Sequence, residues 1–344
     1  MIAWLSWYLV ITLSGWLVFP ILYRLLPGLA DRGYGVSRIF AWLLWGYIFW
    51  LLASLGILRN NFMGILRAWL FVALLGWLFA RRSGWKEIAA WLRTHGGLVA
   101  AIEVLFLVAF GLWALVRATN PEALGTEKPM ELAFINAILR SDTFPPHDPW
   151  LSGYSISYYY FGYVLVALLA KATAVSGGVA FNLGIALVFA LSASGVYSLV
   201  YNLLRSRQPA GSAPRQQGYA LLGPLFLLIY SNLEGLLHVL HTRGVFWKQS
   251  TGGEWISPFW QWLDIVDLKT APAQPFHWAP DQFWWWWRAS RVVQDYDLAG
   301  RAREIIDEFP FFSFLLADLH PHVLAMPFAF LAMALALHVF SDER

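Results

Sequence analysis

The chain has 344 residues, of which 59% are hydrophobic and only 13% are charged, and its formal net charge is +3. A soluble globular protein carries about 25% charged residues, so this composition excludes a soluble protein and indicates an integral membrane protein. The chain contains no cysteine, which excludes disulfides, thiolate metal sites and cysteine nucleophiles. The chain has no basic run that would indicate a nucleic-acid partner. The partner that this composition predicts is membrane lipid.

Apolar segments recur along the whole chain, and a membrane-spanning helix needs about 20 apolar residues. They predict an all-α polytopic membrane protein with about eight transmembrane helices: Ile2–Tyr23, Ile39–Ile57, Ala68–Ala80, Leu98–Val116, Ile156–Ala174, Val179–Leu204, Tyr219–Leu240 and Phe311–Phe340. The third is short, and the last is interrupted by Pro321 and Pro327. The N-terminus lacks the basic region of a cleavable signal, and its first apolar run has full span length.

Lysine and arginine in short loops mark the cytoplasmic side of a membrane protein. They follow the first and third predicted spans at Arg24, Arg32, Arg38, Arg81, Arg82, Lys86 and Arg93. We therefore predict a multi-pass protein of the cell membrane whose N-terminus lies outside. Its two large loops, 118–155 and 241–310, are then extracytoplasmic, and the second, rich in Trp, Pro and Asp, is predicted to be an ordered cap on the outer surface.

The arginines after the sixth apolar segment constrain the number of crossings. Arg205, Arg207 and Arg215 indicate a cytoplasmic loop. That side is reached from the first outer loop only if Ile156–Leu204 crosses an odd number of times. We prefer this interpretation to one in which these arginines face outward.

The first outer loop begins with a predicted short helix. Thr126 can cap this helix, and Glu127 and Glu131 suit its first turn because carboxylates stabilise the positive end of the helix dipole. The two glutamates are four residues apart and share one face, while the apolar residues that follow form a stripe that can lie on the membrane. Two interpretations remain open: catalytic carboxylates, or carboxylates that only favour the start of a helix.

A proline-rich bend and a cluster of tyrosines follow this helix. His147 and Asp148 in the bend are candidate ligands for a metal or a phosphate, but the pattern favours a turn in which Asp148 bonds its own backbone. Most of the tyrosines are typical of an aromatic belt at the lipid headgroups. Tyr154 and Tyr158, predicted on one helical face, are also candidate donors to an anionic ligand.

Further polar candidates lie in the last third of the chain. Asn232 and Glu234 interrupt an apolar run, and an ionisable residue within a span is a functional candidate by default. The alternative is that the span has already ended there. Arg288 and Arg291 follow a run of four tryptophans; Arg is suited to phosphate recognition, although a structural salt bridge is equally typical.

The densest polar cluster lies at the start of the last hydrophobic segment. Glu308 precedes it, and Asp318, His320 and His322 lie within it. Burying these groups unpaired would be costly, so they must find partners. Pro321 disfavours a plain helix interior, and the pattern slightly favours a ligand role for the cluster, with a metal or a phosphate. The alternative is a kinked helix whose polar groups satisfy one another.

Three motifs resemble the signatures of the "YYY" membrane-protein family, an uncharacterised group of polytopic proteins. They are GTEKPMELAFINAILRSDTFPPHDPWLSGYSISYYYFGY, WWWWRASRVV and EFPFFSFLLADLHPHVLAMPF. The resemblance covers about residues 100–340 and implies an N-terminal three-helix membrane extension at 1–96 and a membrane core at 97–344. Family members are typically longer, so we expect this chain to correspond to the N-terminal part of one or to a short form.

This family is in turn similar to the GT-C glycosyltransferases, whose donor is a sugar linked to a polyprenyl phosphate. The similarity implies a GT-C-like core and sugar transfer on the outer membrane face to an acceptor that the sequence does not identify. Glu127 takes the position of the acidic residue in the first large outer loop, with Glu131 one turn later, and the implied role is general base. Glu234, Asp318, His320 and His322 would shape the donor pocket or hold a divalent cation, Mg²⁺ or Mn²⁺.

Two other functions are compatible with the sequence. A transporter or flippase of a lipid-linked substrate is expected to carry ionisable residues in mid-span and paired repeats with broken helices. The polar groups here are predicted near the span ends, which favours surface chemistry. A non-catalytic scaffold subunit is the second alternative, and we predict a membrane glycosyltransferase.

Overall fold

A computed structural model describes residues 2–206, 213–230, 232–281 and 284–342. Arg207, one of the residues used to predict the orientation, lies outside these ranges. The described chain is mostly α-helical, and its strands form two short two-stranded antiparallel sheets. This confirms a helical polytopic membrane protein.

The described elements occur in the following order along the chain. The first part contains α1 (Ile2–Leu25), a 3-10 turn (Tyr34–Val36), α2 (Ser37–Ser54), α3 (Phe62–Ser83), α4 (Trp85–Thr94), α5 (Gly96–Thr119), α6 (Lys128–Arg140), α7 (Phe161–Ala172), α8 (Gly177–Ser206), α9 (Ala213–Ala220) and α10 (Leu222–Pro224). A π-helical turn (Leu225–Ile229) is followed by α11 (Glu234–Thr242), β1 (Lys248–Gln249), β2 (Trp255–Ile256), α12 (Pro258–Leu263), α13 (Trp285–Ala289), β3 (Gln294–Tyr296), β4 (Ala302–Glu304), α14 (Pro310–Leu316) and α15 (Pro321–Asp342).

Six helical segments of the described chain are long and apolar enough to cross a membrane: Ile2–Leu25, Tyr34–Ser54, Phe62–Arg82, Gly96–Thr119, Gly177–Ser206 and Pro321–Ser341. A bent pair, Arg215–Ile229 with Glu234–Thr242, makes a seventh if it forms one span. By length and composition, the described residues therefore support six or seven spans, which is fewer than the eight that the sequence predicted.

Two predicted spans differ most from the observed helices. The short span predicted at Ala68–Ala80 is part of α3, which has 22 residues. The span predicted at Ile156–Ala174 is reduced to α7, whose 12 residues extend about 18 Å. Because α7 is short and α8 has 30 residues, length favours a single crossing between 156 and 204, as the odd number requires.

The chain divides into two compact units. The larger contains Met1–Leu225 and Ala317–Arg344, and the smaller contains Phe226–Leu316. Helices α1 to α3 belong to the larger unit together with α5 to α8. The division at residue 96 stays a prediction, because the contacts divide the chain at other positions.

Helix α8 is the buried centre of the larger unit and packs against α5, α7 and α15. Small residues on its surface allow this close packing, which is how helices associate in lipid. A Cβ added to Gly195 would lie 3.0 Å from the side chains of Ile39 and Phe330. The contact of α8 with Ile39 and Phe330 therefore leaves no room for a bulkier side chain at Gly195.

A buried carboxylate joins the loop after α1 to the C-terminal half of α8. Asp31 Oδ1 accepts hydrogen bonds from Gly33 N at 2.9 Å and from Asn202 Nδ2 at 2.8 Å. Its Oδ2 accepts hydrogen bonds from Ser198 Oγ at 2.5 Å and Gly35 N at 3.2 Å. These four donors offset the cost of burying the charge.

We expect Asp31→Ala to destabilise the fold by about 3 kcal/mol, because it leaves buried donors of the loop and of α8 without an acceptor. The measurement is the midpoint of thermal unfolding of the purified protein in detergent. Glu122→Ala is the matched control, since Glu122 is exposed and its midpoint should stay near that of the wild type. An unchanged midpoint for Asp31→Ala would show that this network does not stabilise the fold.

Candidate functional site

The acidic helix predicted after the fourth apolar segment forms as α6, but it begins one residue later than the capping pattern indicated. Thr126 has a φ of 50° and does not cap the helix; Glu127 occupies the cap position without a side-chain capping bond. Pro129 lies in the first turn of α6, where its missing N–H costs nothing. The backbone N–H of Glu131 donates to the carbonyl of Glu127 at 3.1 Å, so the two carboxylates still share one face.

The last hydrophobic segment is broken by a polar turn before α15. Ala317 has a φ of 67°, and the chain from Asp318 to His320 is not helical. Pro321 is the first residue of α15 and ends this turn, as a proline at a helix start does. Pro327 lies inside α15 without ending the helix. The residues 318–322 therefore form a turn that presents backbone and side-chain polar groups at the start of a membrane helix.

The acidic face of α6 meets this turn. Leu319 N donates to Glu131 Oε2 at 3.1 Å. Glu127 Oε2 lies 2.5 Å from His320 Nε2, and the Tyr158 hydroxyl lies 3.2 Å from the same nitrogen. On the other side of the ring, His320 Nδ1 lies 3.1 Å from His322 Nδ1. Together with Asp318, these groups form what we call the α6–α15 cluster: Glu127, Glu131, Tyr158, Asp318, His320 and His322.

The α6–α15 cluster has an exposed layer and a buried layer. The side chain of Glu127 is 56% exposed and that of His320 is 27% exposed, whereas Glu131 is fully buried and Asp318 nearly so. Glu131 Oε1 and Asp318 Oδ1 have no hydrogen-bond partner among the described residues. Burial raises the pKa of Glu131 well above its usual range, and the neighbouring Asp318 carboxyl raises it further. The cluster thus places a neutral buried acid beside an exposed carboxylate.

The tyrosines differ from the sequence prediction. Tyr154 and Tyr158 do not share a helical face, because α7 begins only at Phe161 and the chain before it is not helical. The Tyr158 hydroxyl contacts His320, whereas the side chain of Tyr154 is exposed and makes none of the cluster's described contacts. The sequence prediction missed Tyr163, which is fully buried; its hydroxyl has no partner among the described residues, and it lies within electrostatic range of Glu131.

His147 and Asp148 lie at the opposite end of α6. Asp148 Oδ1 accepts hydrogen bonds from Trp150 N and Leu151 N, each at 2.8 Å, which is the self-bonded turn that the sequence favoured. Both residues line a separate hollow of about 390 Å³ beside Arg140. Their role as substrate ligands stays a prediction.

Asn232, Glu234 and Glu308 lie in the smaller unit. Asn232 Nδ2 donates to a backbone carbonyl of α13 at 2.7 Å, and its Oδ1 accepts a hydrogen bond from Glu234 N at 3.1 Å. Glu234 is buried, and its Oε1 lies 3.9 Å from His238 Nδ1. Glu308 Oε2 accepts a hydrogen bond from Ser313 at 3.4 Å.

The two arginines after the tryptophan run also lie in the smaller unit and form ion pairs. Arg288 Nη1 lies 3.6 Å from Asp267 Oδ2, and Arg291 Nε lies 2.5 Å from Glu304 Oε1. The Arg291 guanidinium also stacks on the Trp287 ring at 3.6 Å. The salt-bridge interpretation therefore describes their contacts, and phosphate binding stays a prediction.

A family model described as "Uncharacterized membrane protein (DUF2298)" matches residues 44–344. The chain belongs to this family of membrane proteins. The match begins within α2, so the family extends further toward the N-terminus than the predicted residues 100–340, and it includes every member of the α6–α15 cluster. No curated protein and no solved structure matches the chain.

We expect Glu131→Gln to change the pH dependence of stability. Because the pKa of Glu131 is raised in the folded protein, its proton stabilises the fold below the ordinary carboxyl pKa of 4.5, and this contribution is lost as the pH rises toward the raised value. Glutamine does not titrate, so the wild type should lose thermal stability relative to Glu131→Gln between about pH 5 and pH 9.

The measurement is the unfolding midpoint of both proteins across this pH range. Glu122→Gln is the control, because it removes an exposed carboxylate from the same loop and should follow the wild-type profile. Parallel profiles of the wild type and Glu131→Gln would contradict a raised pKa at Glu131.

Proposed function

We propose that the protein is a GT-C-type glycosyltransferase that moves a sugar from a polyprenyl-phosphate-linked donor to an acceptor hydroxyl on the extracytoplasmic face of the cell membrane. The observation that supports this most is the exposed Glu127 carboxylate, 2.5 Å from His320 Nε2 at the start of α15. A hydroxyl that approaches from solvent would meet this carboxylate at the end of a membrane helix, where a lipid-linked donor would present its sugar.

In this proposal Glu127 is the general base. Its carboxylate accepts the proton of the acceptor hydroxyl while the hydroxyl oxygen forms a bond to the anomeric carbon of the sugar. The bond between that carbon and the phosphate oxygen breaks, and its electron pair leaves with the polyprenyl phosphate. His320, held by Tyr158 and His322, positions the base, and a positioned base contributes about 10²- to 10⁴-fold to the rate.

Asp318 of the buried layer and the exposed His322 are suited to hold a divalent cation together. Asp318 Oδ1 is buried without a partner among the described residues, and ligand atoms of Asp318 and His322 lie within 4.8 Å of each other. A carboxylate and an imidazole suit Mn²⁺ better than Mg²⁺, which prefers oxygen ligands. Such an ion, when bound, would offset the negative charge of the leaving phosphate.

One observation favours the transporter alternative. Arg38, which is buried, and Glu103, which is partly exposed, form an ion pair between α2 and α5, and the Tyr34 hydroxyl donates to Glu103 Oε1 at 2.6 Å. Ionisable groups within membrane helices are typical of transport pathways. The side chains of Arg38 and Glu103 bond to each other and to Thr12 and Tyr34. The α6–α15 cluster instead places an exposed carboxylate beside two buried carboxyls, and it therefore favours surface chemistry.

We expect Glu127→Gln to lower donor cleavage at least about 100-fold, because the amide cannot accept the proton of the attacking hydroxyl. The assay is release of polyprenyl phosphate from a panel of labelled polyprenyl-phosphate sugars by the purified protein in nanodiscs. Water can take the place of the unknown acceptor and hydrolyse the donor slowly. The assay therefore requires a suitable donor but no known acceptor.

Glu122→Gln is the control and should cleave the donor at the wild-type rate, and both variants should keep the wild-type unfolding midpoint. Full activity of Glu127→Gln would remove Glu127 from the mechanism. If the wild type cleaves no donor but carries one across a vesicle membrane, the transporter alternative replaces the glycosyltransferase.

A further inference from the structure

A cavity of about 720 Å³ lies at the far end of the larger unit. It is formed by the segment after α1, the end of α4 and the C-terminal ends of α8 and α15: residues 27–30, Arg32, Trp91, His95, 201–203, 205–206, 337 and 340–341. Helix α15 begins at the α6–α15 cluster with Pro321, and its lining residues run from Leu337 to Ser341, which lie about 24 to 30 Å along the helix. The cavity is therefore separated from the candidate active site by about the thickness of a bilayer core.

The charged groups that line the cavity are basic. Arg32 and Arg205 line it together with His95, and none of the described lining residues is acidic. Arg205 Nη1 donates to Gln216 at 3.2 Å, and the Arg32 guanidinium lies 5.2 Å from the centre of the Tyr23 ring. Asp31, which precedes Arg32 in the chain, is engaged by the four donors that join its loop to α8. The described lining of the cavity therefore carries basic side chains and no acidic one, which suits an anion.

The surface around the cavity carries the same charge. The exposed basic residues of this end of the unit are Arg24, Arg81, Arg82, Lys86, Arg93 and Arg215. This distribution is typical of the cytoplasmic side of a membrane protein, where anionic lipids attract basic segments. Basic pockets between membrane helices on that side are suited to lipid headgroups.

Apolar side chains also line the cavity. Phe340 at the end of α15 is 70% exposed, and Leu203 at the end of α8 is 46% exposed. Acyl chains can cover these side chains while a headgroup occupies the cavity, whereas a free phosphate would leave them exposed to water. The lining therefore matches a phospholipid: its basic groups can hold the headgroup, and the apolar side chains beside them can contact the acyl chains.

We propose that this cavity binds the phosphate headgroup of an anionic phospholipid from the leaflet that faces it, with Arg32 and Arg205 as the phosphate ligands. The planar guanidinium groups match phosphate oxygens in geometry. The site is independent of the proposed glycosyl transfer, because its residues and its ligand lie at the other end of α15.

The experiment uses the full chain in detergent with phosphatidylglycerol as the probe and phosphatidylcholine as the uncharged reference, and it counts retained lipid by native mass spectrometry. Arg32→Gln with Arg205→Gln should lower the affinity for phosphatidylglycerol about tenfold or more, because two charge-assisted contacts are lost. Arg93→Gln with Arg215→Gln removes the same charge from exposed positions outside the cavity and should bind like the wild type.

Equal losses in the two double variants would overturn the site, because the effect would then belong to the charged face as a whole. Displacement of the lipid by inorganic phosphate at similar concentration would also overturn it, since the ligand would then be free phosphate. If the first double variant does not fold, Arg205→Gln alone is measured, and wild-type lipid retention in that variant would equally contradict the proposal.

Discussion

One hydrogen bond fixes the geometry of the candidate site. The backbone N–H of Leu319 donates to the buried carboxyl of Glu131, which joins two parts of the chain that are 188 residues apart. A backbone donor buried in an apolar surrounding needs an acceptor, and the acidic face of α6 supplies it. Once this contact forms, Glu127, which lies one turn earlier on α6, is placed beside His320. The buried contact thus determines the position of the exposed carboxylate.

Hydropathy predicted most of the membrane helices because each is apolar over a length that lipid requires. It failed where the chain leaves the membrane without a change in composition. The tyrosine-rich residues before Phe161 carry no charge but are not helical, so α7 is shorter than the predicted span. In α3 the helix continues through Arg67 and Arg81, which a search for uncharged residues treats as boundaries.

Sequence patterns also found the chemical groups of the site, but as two separate features. Glu127 and Glu131 stand out at a helix start, and Asp318, His320 and His322 stand out within an apolar segment. Their meeting is a tertiary contact, and neither spacing nor periodicity contains it. The buried carboxylate Asp31 carried no local signal. It lies in a loop next to an arginine, where a solvated carboxylate is the ordinary expectation, and only packing against α8 shows its four donors.

The burial of α8 has a mechanical consequence. Its first residue, Gly177, lies against Asn136 of α6, and its last turn lines the basic cavity at the other end of the unit. Tight packing along its length, with glycine and alanine where neighbours approach, prevents the helix from bending to absorb a displacement. An axial shift of α8 would therefore displace both of its ends together, at the contact with α6 and at the basic cavity.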